Sequence, residues 1–179
     1  MFEGFTRRQV VVGDVTINCV HGGQGDPVLL LHGYPQTLAE WARLAPLLAA
    51  RHTVVCADLR GYGDSTLGPR QSTVDDYCAD ILRVADKLGG RRLVLVGLSY
   101  GSWIATSFAM RHPEMLAGLV DVPLQPPVHR GDVHVPRVAR LPAVAVVAGN
   151  TQQMFDLGGW LRHRDQIGHG RAPFWNCVA

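Results

Sequence analysis

The residues with the clearest chemical potential are Gly97-Leu98-Ser99-Tyr100-Gly101, which place a serine between two glycines in the pattern G-x-S-x-G. An apolar run, Leu93 to Val96, precedes them, and a run with helical spacing, Gly101 to Arg111, follows. A serine on a sharp strand-to-helix turn is held above the sheet, while the N–H of Tyr100 is left free to stabilise an oxyanion. We therefore predict that Ser99 is a nucleophile. The alternative is a serine that caps a helix in a tight turn.

A second turn, His32-Gly33-Tyr34-Pro35, follows the apolar run Val28 to Leu31. Because glycine permits a tight turn, this segment can present the N–H of Tyr34 as a second oxyanion donor. We expect His32 to lie beside the substrate. The alternative is an ordinary strand-exit turn in which His32 is a hydrogen-bonded structural histidine.

A third turn, Asp58 to Ser65, also follows an apolar run. Its two glycines and two acidic residues are typical of a structural turn. We therefore assign no chemistry to Asp58, Arg60 or Asp64.

Apolar runs that alternate with helical patterns predict the elements that position these turns. This order favours an α/β fold, with a mostly parallel sheet and helices on both faces. The predicted strands are residues 10–12 and 15–20, which form a hairpin, then 28–31, 53–57, 93–96, 116–120 and 143–148. The predicted helices are residues 39–50, 74–88, 101–111 and 154–164.

Length and composition limit the class of protein. The 179 residues suit a single domain, residues 1–179, and 47% of them are hydrophobic. A net charge of +2 gives no reason to expect nucleic acid or a membrane as partner. The four cysteines have no metal-binding spacing, so we expect free thiols in a cytoplasmic protein with no metal. The N-terminus lacks the apolar stretch of a signal peptide. The oligomeric state is left open.

Taken together, these residues resemble the α/β-hydrolase superfamily. The resemblance is strongest to the branch of haloacetate dehalogenases and epoxide hydrolases, on the evidence of four segments. They are His32 to Thr37, Trp41, Asp58 to Ser65, and Arg111 to Glu114. The resemblance implies an eight-stranded sheet, a nucleophile–acid–histidine triad and, in many members, a helical cap. No cofactor is implied.

The same resemblance suggests the acid and the base. Asp121 follows the run Leu116 to Val120 in the pattern of this branch, and its alternative is a strand-end acid that bonds a turn. His169, in Gly168-His169-Gly170, is the expected base, because the family's histidine is usually found in a Gly-His context near the C-terminus. No clear strand precedes it. Three other histidines also follow Asp121, and each is typical of a solvated surface. They are His129, His134 and His163.

Two departures from the branch change the expected reaction. The branch uses an aspartate where this chain has Ser99, and a serine forms an acyl-enzyme from an ester, thioester or amide. Haloacetate dehalogenases place arginines just after the nucleophile, whereas Tyr100 and Trp103 stand here, which suits a small uncharged acyl group. We expect Trp103 to contact the substrate.

The segment where a cap would be inserted, residues 122–140, is too short for one, and residues 165–179 form an irregular tail. The sequence therefore predicts a serine hydrolase that cleaves a small neutral carboxylic ester. One alternative is a non-catalytic, truncated hydrolase core without a working base. A dehalogenase or epoxide hydrolase is a third, which Ser99 disfavours.

Overall fold

The computed structural model describes residues 1–90 and 92–122, together with the backbone of one further strand at residues 144–146. These residues form a seven-stranded sheet with the order β1-β2-β4-β3-β5-β6-β7. The strands are β1 (Thr6–Val12), β2 (Val15–Gly22), β3 (Asp26–Leu31), β4 (His52–Ala57), β5 (Leu93–Leu98), β6 (Leu116–Val122) and β7 (Val144–Val146).

The sheet is antiparallel at one side and parallel elsewhere. The hairpin of β1 and β2 pairs antiparallel with β4, and the remaining neighbours run parallel from β4 to β7. The carboxyl ends of β3, β4 and β5 therefore lie side by side at one edge of the sheet. This edge holds all three turns that the sequence singles out.

Three helices cover the two faces: α1 (Ala45–Ala49), α2 (Val74–Lys87) and α3 (Tyr100–Arg111). Side chains of successive strand residues alternate between two cores, as the period of two in a strand requires. One core packs under α2 and α3 and includes Leu29, Leu95 and Phe108. The other contains Leu30 and Val96 and packs against Trp41 and α1. The predicted α/β fold is confirmed.

The structure changes one predicted helix. Residues 39–50 do not form a continuous helix but a 3₁₀ turn, Leu38–Trp41, followed by the short α1. Pro46 supplies no N–H and fits only the first turn of a helix, so it divides the segment. In a continuous helix the spacing of Trp41, Leu44, Leu47 and Leu48 would place all four on one buried side, yet Leu47 is 54% exposed.

The helix α2 begins as the sequence predicts. Thr73 and Asp76 form a capping box, in which each side chain accepts a hydrogen bond from the other residue's backbone N–H. Asp75 and Asp76 lie in the first turn, where the helix dipole favours negative charge.

Several predictions lie outside the described residues. They are the helix at residues 154–164, the tail at residues 165–179, and all of the loop at residues 122–140 except its first residue. The described helices include none that is long and apolar enough to cross a membrane.

Candidate active site

The turn between β5 and α3 has the geometry that presents a nucleophile. Ser99 has φ 53° and ψ −112°, and it is the only non-glycine residue with a positive φ in the part of the chain described. A side chain in this region costs about 1–3 kcal/mol, so surrounding contacts must hold it there. The Ser99 N–H donates to the carbonyl of Val122 at 2.8 Å, and the Ser99 carbonyl accepts from the N–H of Trp103 at 3.2 Å.

The two flanking glycines are required because backbone atoms occupy the space of a side chain. A Cβ on Gly97 would overlap the carbonyl of Gly101 and come within 2.6 Å of the N atom of Ser102. A Cβ on Gly101 would overlap the carbonyl of Leu31 at the end of β3. The glycines of the G-x-S-x-G pattern therefore let α3 approach the sheet closely.

The turn after β3 lies directly against this serine. A Cβ built on Gly33 would lie 3.2 Å from the Cβ of Ser99. Within residues 1–90 and 92–122, no acceptor is hydrogen-bonded to the backbone N–H of Tyr34 or of Tyr100. The first follows Gly33, and the second belongs to the first residue of α3, where helical bonding leaves N–H groups free.

His32 is buried and fixes the orientation of this turn. Its Nε2 accepts from the N–H of Leu59 at 2.9 Å, which leaves the proton on Nδ1, and Nδ1 donates to the carbonyl of Gly33 at 2.7 Å. Burial lowers the pKa of His32, which favours this neutral form. Both ring nitrogens are thus bonded to backbone and the side chain is fully buried. In the structure His32 is therefore the hydrogen-bonded structural histidine of the alternative interpretation, and it exposes no surface beside Ser99.

The bond from His32 also determines where the N–H of Tyr34 points. The carbonyl of Gly33 accepts a second hydrogen bond from the N–H of Gln36 at 3.0 Å. In a trans peptide the C=O and N–H point in opposite directions, so holding this carbonyl sets the direction of the Tyr34 N–H. The peptide that follows, between Tyr34 and Pro35, is cis.

The acidic side chain that begins the turn Asp58 to Ser65 is fully hydrogen-bonded within the protein, which agrees with the prediction of a structural turn. Asp58 accepts from the N–H of Leu38 at 2.7 Å, from the side-chain amide of Asn18 at 2.7 Å and from the N–H of Asp64 at 3.1 Å. Every donor that contacts this carboxylate belongs to the scaffold.

The same turn is attached to α2 by a buried ion pair. The Arg60 guanidinium donates to both carboxylate oxygens of Asp80, at 2.6 Å and 2.7 Å. It also lies 5.7 Å from the centre of the Tyr77 ring. Arg60 therefore has no free charge to offer a substrate.

Asp121 lies one residue before the end of β6, not after it as we expected, because β6 continues to Val122 and pairs with β5 and β7. One of its carboxylate oxygens accepts from the Thr106 hydroxyl of α3 at 3.1 Å. The other is buried and has no partner among the described residues. Burial raises the pKa of Asp121, while the hydroxyls of Thr106 and Ser102 oppose this increase.

Aromatic side chains are grouped on the elements next to Ser99, namely the start of α3 and the turn after β3. The rings of Tyr100 and Trp103 stack with centres 5.6 Å apart, and the Tyr100 hydroxyl donates to the Tyr77 hydroxyl at 3.2 Å. Trp103 is half-exposed and Tyr34 is largely exposed, so both offer apolar surface to a ligand.

The described residues provide no base for Ser99. His52 begins β4 at the opposite edge of the sheet, and His112 caps the far end of α3. His21 accepts from the Arg8 side chain on the edge hairpin. The predicted base His169 lies outside the described residues, as do His129, His134 and His163. No cluster of three or more metal-ligating side chains occurs in the described part of the chain.

Sequence reasoning missed one residue of this site, Glu40. Its carboxylate accepts the N–H of Gly33 at 3.0 Å. No local pattern signals such a bond, because the carboxylate crosses seven residues to reach a backbone N–H.

Comparison with known proteins gives a consistent result. Residues 26–169 match the model of the alpha/beta hydrolase fold family. Over 131 residues the chain is 47% identical to a fluoroacetate dehalogenase of a Burkholderia species, and over 119 residues it is 30% identical to a soluble epoxide hydrolase of a Corynebacterium species. These alignments cover 70% and 66% of this chain.

Solved structures agree with this result. A Nostoc protein, provisionally described as an alpha/beta hydrolase, superposes with a TM-score of 0.65 at 39% identity, covering 70% of this chain and 45% of its own. A bacterial membrane phospholipase A superposes with a TM-score of 0.64 at 32% identity, covering 71% and 43%. The chain also spans only 43% of the dehalogenase and 42% of the epoxide hydrolase.

Proposed function

Because the chain belongs to the alpha/beta hydrolase fold family, we propose that it is a serine hydrolase that cleaves a small, uncharged carboxylic ester through an acyl-enzyme. The observation that carries this proposal is the backbone of Ser99, held at φ 53° between two obligatory glycines and beside an unpaired N–H. In the proposed reaction the Ser99 hydroxyl attacks the acyl carbon and gives its proton to a base. The alcohol then leaves, and water releases the acid.

The oxyanion of each tetrahedral intermediate is bound by the N–H groups of Tyr100 and Tyr34. Two features support this assignment: both amides are free within the described residues, and the turn that carries Tyr34 lies against Ser99. The Gly33 carbonyl is held by His32 and Gln36, so the Tyr34 N–H is oriented before a substrate arrives. Such preorganised donors contribute most when they need not move during the reaction.

The base in this proposal is His169, and Asp121 orients it. The buried, unpartnered oxygen of Asp121 supports this assignment, because an imidazole N–H would satisfy it. Asp121 pairs with Gly97 in the sheet, two residues before the serine, so its carboxylate belongs to the same end of the sheet.

The substrate class follows from the residues around Ser99. Tyr34, Tyr100 and Trp103 offer apolar surface, and Arg60 on the neighbouring turn is neutralised by Asp80. An uncharged acyl group fits these surroundings better than a small anion. The similarity to a phospholipase A, a class that cleaves carboxylic esters, supports the same reaction type.

A dehalogenase or epoxide hydrolase is the second candidate, and the 47% identity to a fluoroacetate dehalogenase favours it. Ser99 opposes it. An aspartate is expected at the elbow of that branch, because a carboxylate displaces halide or opens an epoxide to form an alkyl ester.

A fluorophosphonate probe tests the proposal on the full chain. We expect a covalent adduct on the wild type and none on Ser99→Ala, with Ser107→Ala, two turns farther along α3, as the matched control that retains labelling. Hydrolysis of a short p-nitrophenyl ester should follow the same pattern. If a folded wild-type protein forms no adduct, the chain is a hydrolase core without a working base. Fluoride release from fluoroacetate, or diol formation from an epoxide, without labelling would favour the second candidate.

The base is then identified by substitution. We expect His169→Ala to lower the rate of labelling far more than His163→Ala. Equal rates in both variants and the wild type would remove His169 from the mechanism.

A further inference from the structure

Glu40 is a half-buried acid on the turn that follows Gly33 and Tyr34. It lies in the 3₁₀ turn Leu38–Trp41, and burial raises its pKa. No cation forms an ion pair with it in the described part of the chain. Its one hydrogen bond there is to the N–H of Gly33, at 3.0 Å. Partial burial removes water from this carboxylate, so its one backbone contact is the feature that calls for an explanation.

The backbone that carries Glu40 is fixed independently of this bond. The Thr37 side chain caps the 3₁₀ turn, and Asp58 accepts the N–H of Leu38 at 2.7 Å. Trp41, the next residue, is fully buried in the core. Glu40 therefore reaches Gly33 from a rigid support.

Gly33 is the residue whose position matters most for the Tyr34 N–H. Its carbonyl is held by His32 and Gln36, and its N–H is held by Glu40. The bond from Glu40 fixes the peptide before Gly33, and the other two fix the peptide after it. Without Glu40 the N–H of the first of these two peptides has no acceptor among the described residues.

We infer that Glu40 is a positioning residue for the oxyanion site: by accepting the Gly33 N–H it holds the turn so that the Tyr34 N–H faces the intermediate formed at Ser99. This inference rests on the proposed function. The bond, and not the negative charge, carries the effect, since a charge near an oxyanion opposes catalysis. A glutamine, whose side-chain oxygen also accepts a hydrogen bond, therefore serves as well.

The test compares Glu40→Ala, Glu40→Gln and the exposed control Glu3→Ala, with concentrations corrected by fluorophosphonate titration of Ser99. We expect Glu40→Ala to lower kcat for a p-nitrophenyl ester roughly tenfold while KM changes less than about twofold, because the lost contact acts in the transition state. Glu40→Gln and Glu3→Ala should stay within about twofold of the wild type.

A boronic acid separates positioning from a general loss of structure, because it binds Ser99 as a tetrahedral adduct. We expect Glu40→Ala to weaken boronate binding roughly tenfold and binding of the product acid less than about twofold. Equal weakening of both ligands, or a loss in Glu40→Gln as large as in Glu40→Ala, would overturn the inference.

Amide hydrogen exchange distinguishes failure of the inference from failure of the proposed function. The Gly33 amide should exchange faster in Glu40→Ala than in Glu40→Gln, whether or not the chain hydrolyses esters. A reactive wild type with unchanged kcat in Glu40→Ala refutes only the role of Glu40. A wild type that neither labels nor binds boronate refutes the serine hydrolase, and the role of Glu40 with it.

Discussion

Two turns at the same edge of the sheet use polar groups in opposite ways. In the turn Asp58 to Ser65, after β4, the Asp58 carboxylate accepts three hydrogen bonds, all from groups of the scaffold. The elbow at Ser99, after β5, is held by the backbone bonds of Ser99 and by the Ser102 hydroxyl, which donates to the Gly97 carbonyl at 2.7 Å. The Ser99 hydroxyl and the N–H that follows it have no partner among the described residues. Both turns are rich in glycine and polar residues, so composition alone does not separate them.

Under the function proposed above, unsatisfied groups distinguish the reactive turn from the supporting one. Unpaired donors and strained backbone reduce stability, so they persist only where neighbouring contacts hold them. Here the supporting turn, Asp58 to Ser65, provides some of these neighbouring contacts. Asp58 anchors the 3₁₀ turn that carries Glu40, and the Leu59 N–H fixes the tautomer of His32. The saturated turn thus holds two residues, Glu40 and His32, that bond the turn lying against Ser99.

The largest effect should separate activity from stability at the elbow. We expect Ser99→Ala to lower ester hydrolysis roughly 10⁴-fold or more, because the other hydroxyl of the elbow, on Tyr100, is bonded to Tyr77. Its free energy of unfolding should change by less than about 1 kcal/mol, since the Ser99 side chain forms no hydrogen bond within the described residues. Initial rates and urea unfolding measure the two quantities. A destabilisation above about 2 kcal/mol would mean that Ser99 is a structural cap.

The supporting turn should show the reverse pattern. Asp58→Ala leaves three donors without their acceptor, two of them backbone N–H groups, and we expect a loss of about 3 kcal/mol in the free energy of unfolding. The control is Asp64→Ala in the same turn, where an exposed carboxylate pairs with an exposed Arg7. It should cost less than about 1 kcal/mol in urea unfolding. Similar losses in the two variants would contradict the contrast between the turns.

The sequence predicts the elbow because its signals are local. Glycines on both sides of Ser99, an apolar strand before it and a helix after it are all visible in about twenty residues. The alternation of apolar runs with helical patterns likewise predicts the parallel sheet, and the capping residue Thr73 predicts the start of α2. Pro46 is equally visible, yet the apolar spacing around it led us to a continuous helix at residues 39–50, which is wrong.

The contacts that support the site are nonlocal, and the sequence did not predict them. The bond from Leu59 to His32 spans 27 positions, and the bond from Leu38 to Asp58 spans 20. Whether a histidine beside the nucleophile faces the substrate or the scaffold depends on such bonds. His32 was therefore expected at the substrate and lies instead beneath the turn.

The pH dependence of stability should reveal His32 as part of the support. Burial lowers its pKa in the folded state, so below its unfolded value of about 6.5 the unfolded chain binds the extra proton. The free energy of unfolding should therefore fall as the pH decreases from 6.5, by at most about 1.4 kcal/mol per pH unit from this one group. Above pH 7 this contribution is fully present.

Urea unfolding of the wild type and of His32→Gln, at steps from pH 8 to pH 5, isolates that contribution. His21, whose pKa is also lowered, is present in both proteins and cancels in the difference. We expect the gap between the two curves to narrow as the pH falls. Parallel curves would show that protonation of His32, which must break its bond from the Leu59 N–H, costs the folded protein no stability, and would contradict its role in the support.

The smallest expected effect concerns the contact that joins the two turns. Tyr77 packs under Arg60 of the supporting turn, and its hydroxyl accepts a hydrogen bond from Tyr100, which follows Ser99. Tyr100→Phe removes that bond and should cost about 0.5–1 kcal/mol in the free energy of unfolding, because a single neutral hydrogen bond contributes no more. Tyr34→Phe, which loses a hydroxyl without a partner among the described residues, should cost less.

Since the N–H of Tyr100 is positioned by the backbone of α3, ester hydrolysis by Tyr100→Phe should fall less than about threefold. If the rate falls by much more than threefold while the free energy of unfolding changes by less than about 1 kcal/mol, the elbow depends on the supporting turn through this hydroxyl pair as well as through His32.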